Sequence, residues 1–291
     1  MKLDLGSFLL QWATGGLAFC WVTTRRREVG LGYGWLLRSV YGSFALGAVA
    51  VFATRGDGAH ATANALACAG AVGVALGAGI ALAVSVARRG AGVHGQEATK
   101  ARRRARVAAM VGGDAPAAAA DDIGAGPEFP PALDLVAPIV GGLGLLAAAV
   151  VAGGPYPLAA ARLLVGALFL GVVSDAMLLG HWYLVQPGLG RDPIRQLVRW
   201  CAVLWPFEVA VFLWPTGMVQ VFTGAVDDGY NGLLGWVWLV SAVTTIGLVG
   251  VTWLALKERS YSAVMAATGL LYLAILTAFG IDLVARAVLA P

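Results

Sequence analysis

Residues 61–87 read ATANALACAGAVGVALGAGIALAVSVA, and Arg88 and Arg89 follow directly. The run contains no charged side chain and is longer than the roughly 20 apolar residues that cross a bilayer. It predicts a membrane-spanning helix, because lipid offers no hydrogen-bond partner and the backbone must satisfy its own polar groups. The same pattern recurs along the chain, and every second loop carries arginines.

Eight such runs can be recognised in the sequence. Hydrophobic residues make up 59% of the chain and charged residues only 12%, which lies far outside the range of soluble proteins. We therefore expect an all-α fold, namely a polytopic transmembrane helix bundle of about eight spans. Their predicted limits are 4–22, 31–53, 61–87, 133–153, 158–181, 198–222, 233–256 and 262–288.

The orientation follows from the Lys and Arg residues. They are concentrated in the loops after spans 1, 3, 5 and 7, whereas the other loops together hold one Arg, and one of them carries Asp227 and Asp228. The positive-inside rule then predicts a multi-pass cell-membrane protein with both termini on the non-cytoplasmic side. The net charge of +4 arises in these loops, so nucleic acid is not an expected partner.

One long loop divides the chain into three parts. Residues 1–87 hold the first three spans, and residues 132–291 hold a five-helix transmembrane bundle. Between them, residues 88–131 are predicted to form a cytoplasmic basic helix followed by a flexible linker rich in Ala, Gly, Pro and Asp.

Ionisable side chains inside a membrane are costly, so each is a functional hypothesis. Glu208 is predicted about ten residues into span 6, close to the bilayer midplane. Pro206 and Pro215 flank it, and each removes a helix hydrogen bond. Span 6 is therefore expected to be kinked twice around a buried carboxyl group. Such a group would be a proton relay, a cation site or a quinone contact, and the alternative is a neutral, hydrogen-bonded structural side chain.

The end of span 5 carries the cluster His181, Trp182 and Tyr183, with Asp175 one to two turns earlier. A histidine donor with aromatic walls at the membrane edge suits a quinone headgroup. The alternative is an interfacial aromatic belt. Arg38 in span 2 is expected to snorkel, or to pair with Asp175 or Glu208.

These residues combine into one site hypothesis, a quinone or proton site in the cytoplasmic half of the bundle. Its members are Arg38, Asp175, His181, Trp182, Tyr183 and Glu208. Separately, Asp282 and Arg286 are four residues apart in span 8, a spacing that predicts a structural ion pair on one helix face.

The sequence gives little indication of a tightly bound cofactor. No two of the three histidines are expected at the same depth on opposing spans, so bis-histidine haem is not favoured. The cysteines lack CxxC spacing, which argues against a metal site or a disulfide set. No catalytic residue is predicted, and quinone is the cofactor that the pattern suggests. The residues concerned are His60, His94, His181, Cys20, Cys68 and Cys201.

Three functional classes remain open. The first is a membrane subunit of a larger electron-transfer or proton-moving, quinone-linked complex, with lipids and other membrane subunits as partners. In that case any enzyme activity belongs to an oxidoreductase complex and not to the chain alone. The second is a proton-coupled small-molecule transporter, and the third is a structural or assembly subunit without chemistry.

Overall fold

The computed structural model of the chain describes residues 4–55, 58, 60–89, 104–109, 112, 128–186, 188–215 and 217–289. This part of the chain is helical and contains eight helices long and apolar enough to cross a membrane. The predicted bundle of about eight spans is confirmed. The helices are α1 (Leu5–Thr24), α2 (Leu31–Ala53), α3 (Ala61–Ala87), α4 (Val136–Ala152), α5 (Tyr156–Val185), α6 (Asp192–Leu213), α7 (Leu233–Ala255) and α8 (Tyr261–Val288).

Two short elements adjoin the long helices of the bundle. A 3₁₀ turn, Pro131–Leu135, leads into α4, and a short helix, Met218–Phe222, follows α6. Most of the predicted cytoplasmic segment 88–131, including His94, lies outside the described residues. We call the end of the bundle that carries residues 25–27, 88–89, 191–199 and 257–259 the arginine-rich end.

Helices α1 and α5 form the centre of the bundle, where their backbones touch. A Cβ atom built on Gly15 would lie 1.6 Å from the carbonyl oxygen of Ala167, and one on Gly171 would lie 2.2 Å from the carbonyl carbon of Gly15. Only glycine permits such an approach, which is a common way of packing helices in membranes. Helix α5 is accordingly the most buried of the eight spans.

The glycine-rich face of α3 packs within the same chain. A Cβ atom on Gly70 would lie 2.5 Å from Cα of Gly144 on α4, and Gly73 lies against Val140. Helices that precede the long loop therefore pack closely with helices that follow it. Gly70, Gly73 and Gly77 of α3 thus serve intramolecular packing, whereas a Cβ atom on Gly79 would meet nothing within 4 Å.

The limits of α6 differ from the prediction. The helix begins six residues earlier than expected and ends at Leu213, before Pro215, so the predicted second kink is wrong, while Pro206 does lie inside the helix. Pro215 has no N–H for the carbonyl oxygen of Val211. Arg162 on α5 supplies the missing donor, with 2.8 Å between its Nε and the Val211 oxygen.

Candidate functional site

Arg38 is paired in the structure, with a partner that the sequence did not indicate. Its Nε and Nη2 donate to the two carboxylate oxygens of Asp134 at 2.8 and 2.7 Å. Both side chains are 3% exposed, and Thr24 donates a further hydrogen bond to Asp134. The expected pairing of Arg38 with Asp175 or Glu208 is wrong. The 3₁₀ turn that leads into α4 places Asp134 beside Arg38 instead.

Asp175 lies in the middle of α5 and is fully buried. It was expected near the cytoplasmic boundary, but α5 continues ten residues beyond it, about 15 Å by helix rise. The hydroxyl of Tyr41 donates to its Oδ1 at 2.5 Å, and the hydroxyl of Tyr33 donates to its backbone oxygen at 3.2 Å. The Oδ2 atom has no hydrogen-bond partner in the described part of the chain.

A glycine on α1 makes the Tyr41–Asp175 contact possible. A Cβ atom at Gly16 would lie 2.1 Å from Cζ of Tyr41, so any larger residue would occupy the place of the ring. Tyr41 is therefore able to pass α1 and reach α5. Beside it, Nε1 of Trp12 on α1 donates to Ser174 on α5 at 2.8 Å.

A second polar group, which we call the Gln11 ring, lies nearer the end of the bundle opposite to the arginine-rich end. Nε of Arg286 lies 2.8 Å from Oδ2 of Asp282, so the predicted ion pair is confirmed. Gln11 on α1 bridges the pair, since its Nε2 donates to Oδ1 of Asp282 at 3.3 Å and its Oε1 accepts from Nη2 of Arg286. Asp282, Arg286 and Gln11 are each 0% exposed.

Glu208 lies beside this ring, where it is fully buried and unpaired. It is 0% exposed, and neither carboxyl oxygen has a hydrogen-bond partner among the described residues. It is close enough to Asp282 and Arg286 to interact with both electrostatically. Because α6 ends only five residues later, Glu208 lies nearer this end of α6 than the predicted midplane position.

Helix α5 contributes both space and charge to the same region. A Cβ atom at Gly166 would lie 2.2 Å from Nε2 of Gln11, so the glycine leaves room for the ring. One turn earlier on α5, the buried Arg162 interacts electrostatically with Arg286. Arg286 is thus the group that interacts with Asp282, Glu208 and Arg162 inside the bundle. Nη1 of Arg286 has no hydrogen-bond partner in the part of the chain that is described.

The aromatic cluster at the end of α5 does not form one site. His181 is exposed and lies 3.4 Å from the hydroxyl of Tyr272 on α8, through its Nδ1. Trp182 instead donates to Gln186 at 2.9 Å, and Tyr183 is buried and donates to the carbonyl oxygen of Gly190. Consecutive helical residues point about 100° apart, which accounts for the three directions.

The predicted quinone or proton site is therefore not formed as one cluster. Arg38 is neutralised at the arginine-rich end, Asp175 is central, His181 is on the outer surface, and Glu208 adjoins the Gln11 ring. Sequence reasoning missed their true partners. One signal could have pointed to these partners, namely a polar side chain within or at the start of an apolar run. The residues with this feature are Gln11, Tyr41, Asp134 and Arg162.

Comparison of the chain with protein-family models, with curated proteins and with solved structures gives no match. Within the described residues, no group of three or more His, Cys, Asp or Glu side chains is placed to hold a metal ion. The site that stands out is Glu208 with the Gln11 ring, because several of its buried polar atoms lack partners.

Proposed function

We propose that this chain is a proton-moving integral membrane subunit of a larger complex, in which Glu208 is the group that takes up and releases the proton. The supporting observation is that Glu208 is fully buried beside an ion pair that is already neutral, and that neither of its oxygens has a hydrogen bond to the residues that the structure describes. A structural carboxyl group at such depth normally has its hydrogen bonds satisfied. A carboxyl group that alternates between its neutral and its ionised form cannot have all of its hydrogen bonds satisfied in both forms.

The chemistry of the proposed site is a competition of two carboxyl groups for one guanidinium. An ionised Glu208 without a partner is costly in this interior, so the resting form is the neutral acid. When Arg286 turns from Asp282 to Glu208, the carboxylate of Glu208 becomes stabilised and its proton can leave. Asp282 then takes up a proton or is stabilised by Gln11. If Asp282 takes up the proton, the total charge of the three side chains is unchanged, and if Asp282 stays ionised beside Gln11, the proton leaves the site and the total charge falls by one.

Asp175 provides a second buried carboxyl group on the way to the arginine-rich end. It lies nine residues beyond Gly166 on α5, about 14 Å by helix rise. Gly171, where α1 and α5 touch, lies between them. Proton transfer between the two sites therefore requires this contact to open. Such a requirement keeps passive proton flux slow and lets a partner subunit control it.

A quinone-linked role is the second candidate, and it rests on His181 and Tyr272. The two side chains meet across α5 and α8 on the outer surface of the bundle, where Tyr272 is 44% exposed. An imidazole and a phenol side by side can donate to or accept from a quinone carbonyl or hydroxyl group. A quinone dissolved in the lipid would reach this pair from the side of the bundle.

Proton movement can be tested in liposomes that enclose a pH-sensitive dye. The chain is purified from its native membrane in mild detergent with whatever co-migrates, reconstituted, and exposed to a potassium-diffusion potential. We expect proton flux above that of empty vesicles, and at least a tenfold loss in Glu208→Gln. Glu258→Gln is the matched control, because Glu258 is an exposed carboxyl group at the arginine-rich end.

Equal flux in wild type and Glu208→Gln would refute the role of Glu208, and no flux in any sample would favour a structural subunit. Mass spectrometry of the purified material tests the assignment as a subunit. For the quinone candidate, His181→Ala should weaken binding of a short-chain quinone, whereas His60→Ala should not, since His60 precedes α3 at the other end.

A further inference from the structure

The arginine-rich end contains a pocket that the proposed proton site does not use. It has a volume of about 60 Å³ and lies between the end of α1, the first turn of α2, the end of α3 and residues 128–131. That volume holds four or five water-sized groups, which is the size of one phosphate group. Three guanidinium groups line it, together with the hydroxyl groups of Thr24 and Ser85.

The pocket carries an excess of positive charge. Arg27, Arg38 and Arg88 contribute three positive charges, and the two nearby carboxylates, Glu128 and Asp134, contribute two negative charges. Formal addition over these described residues leaves one positive charge. Neither Glu208 nor the Gln11 ring contributes to this net charge.

Donors in the pocket remain available for an anion. Arg38 is 3% exposed and uses Nε and Nη2 for Asp134, whereas its Nη1 lies over Gly34 with no hydrogen bond to the described residues. Arg88 uses Nη1 for the backbone oxygen of Glu128 at 2.7 Å. Its remaining nitrogen atoms make no hydrogen bond to that part of the chain.

The first turn of α2 adds backbone donors to the same pocket. Gly30, the residue before the helix, supplies no side-chain cap, and its own N–H is used by Gln186. The N–H group of Leu31 therefore begins the helix without an intrahelical acceptor, and Leu31 lines the pocket. The positive end of a helix together with arginine forks is a combination that binds phosphate.

We propose that this pocket binds a phosphate group, carried by an anionic lipid headgroup or free in solution. Basic pockets between membrane helices are suited to lipid headgroups. Val29, Leu31 and Phe129 also line the pocket and provide an apolar side for the glycerol and acyl part of a lipid.

The test is binding to the purified full chain in a neutral detergent, measured by calorimetry with two probes. One probe is a short-chain phosphatidic acid and the other is inorganic phosphate. Arg88→Gln removes one fork from the pocket, and Arg89→Gln is the matched control, because Arg89 is exposed and does not line the pocket. Arg88→Lys keeps the charge but loses the fork.

We expect saturable binding that Arg88→Gln weakens about tenfold or more, Arg88→Lys weakens less, and Arg89→Gln leaves unchanged. Binding of the lipid alone identifies a headgroup site. Binding of both probes, with phosphate competing against the lipid, identifies a phosphate site open to solution. Equal weakening of binding by Arg88→Gln and Arg89→Gln would overturn the proposal, because it would indicate diffuse surface charge. The proposal would also be overturned if neither probe bound.

Discussion

The Arg38–Asp134 pair at the arginine-rich end and the Asp282–Arg286 pair near the opposite end consist of the same side-chain types and are both buried. They differ in whether both carboxylate oxygens are hydrogen-bonded. The first is bidentate, with hydrogen bonds to both oxygens of Asp134. In the second, neither Oδ2 of Asp282 nor Nε of Arg286 makes a hydrogen bond in the described part of the chain, and Glu208 lies beside them with no hydrogen bond there either.

The difference indicates what each pair does. Burying an ion pair is costly unless its remaining hydrogen-bonding capacity is satisfied. The carboxylate of Asp134 meets that condition, because Arg38 and Thr24 donate hydrogen bonds to both of its oxygens, and the pair fastens α2 to the turn that leads into α4. The Asp282–Arg286 pair does not meet it, and the neighbouring carboxyl group offers Arg286 a second partner. We therefore regard the first as structural and the second as the place where charge moves.

The largest effect is expected for Arg38→Met. It leaves Asp134 buried without a cation, and we expect it to lower the free energy of unfolding by about 3–5 kcal/mol. Thermal unfolding in detergent measures the loss. The control is the double variant Arg38→Met with Asp134→Leu, which removes both charges and should recover most of the stability. If the double variant is no more stable than the single one, the pair is not a simple structural link.

The same substitution at the second pair, Arg286→Met, should cost less. Asp282 and Glu208 can each hold a proton, and Gln11 can still donate to Asp282, so no buried charge is left unpaired. We expect a loss of about 1–3 kcal/mol in the same unfolding measurement. A loss as large as that of Arg38→Met would erase the distinction between the two pairs.

The central Asp175 is intermediate between the two pairs, because only one of its oxygens is hydrogen-bonded. Tyr41→Phe removes that bond without changing the shape of the ring and should cost about 1 kcal/mol. Tyr33→Phe is the control, since Tyr33 bonds the backbone of Asp175 and leaves its carboxyl group untouched. Infrared spectra of the protonated carboxyl groups should shift in Tyr41→Phe and remain unchanged in Tyr33→Phe.

The sequence predicts those parts of the molecule that depend on local spacing. Each span is a long apolar run, so the number of helices follows from length and composition. The Asp282–Arg286 pair is four residues apart on one helix, and its geometry needs no knowledge of other helices.

The partners across helices could not be predicted, because nothing local fixes the register of one span against another. Arg38 meets Asp134, which is 96 residues away, through the packing of α2 against the chain that enters α4. The end of α6 at Leu213 depends on whether the carbonyl oxygens freed by Pro215 find a donor, and Arg162 supplies one from another helix. An error of one turn in such limits shifts a buried side chain by about 5 Å.

The smallest effect on stability is expected for Glu208→Gln, the substitution that should abolish proton exchange. Glu208 makes no hydrogen bond to the described residues, so the neutral amide loses none, and the free energy of unfolding should change by less than about 1 kcal/mol. Asp134→Asn is the comparison, because it weakens two hydrogen bonds from Arg38 and should destabilise the bundle clearly. Infrared difference spectra in heavy water should lose one exchangeable protonated-carboxyl band in Glu208→Gln alone. Unchanged spectra together with a large loss of stability would make Glu208 a structural residue.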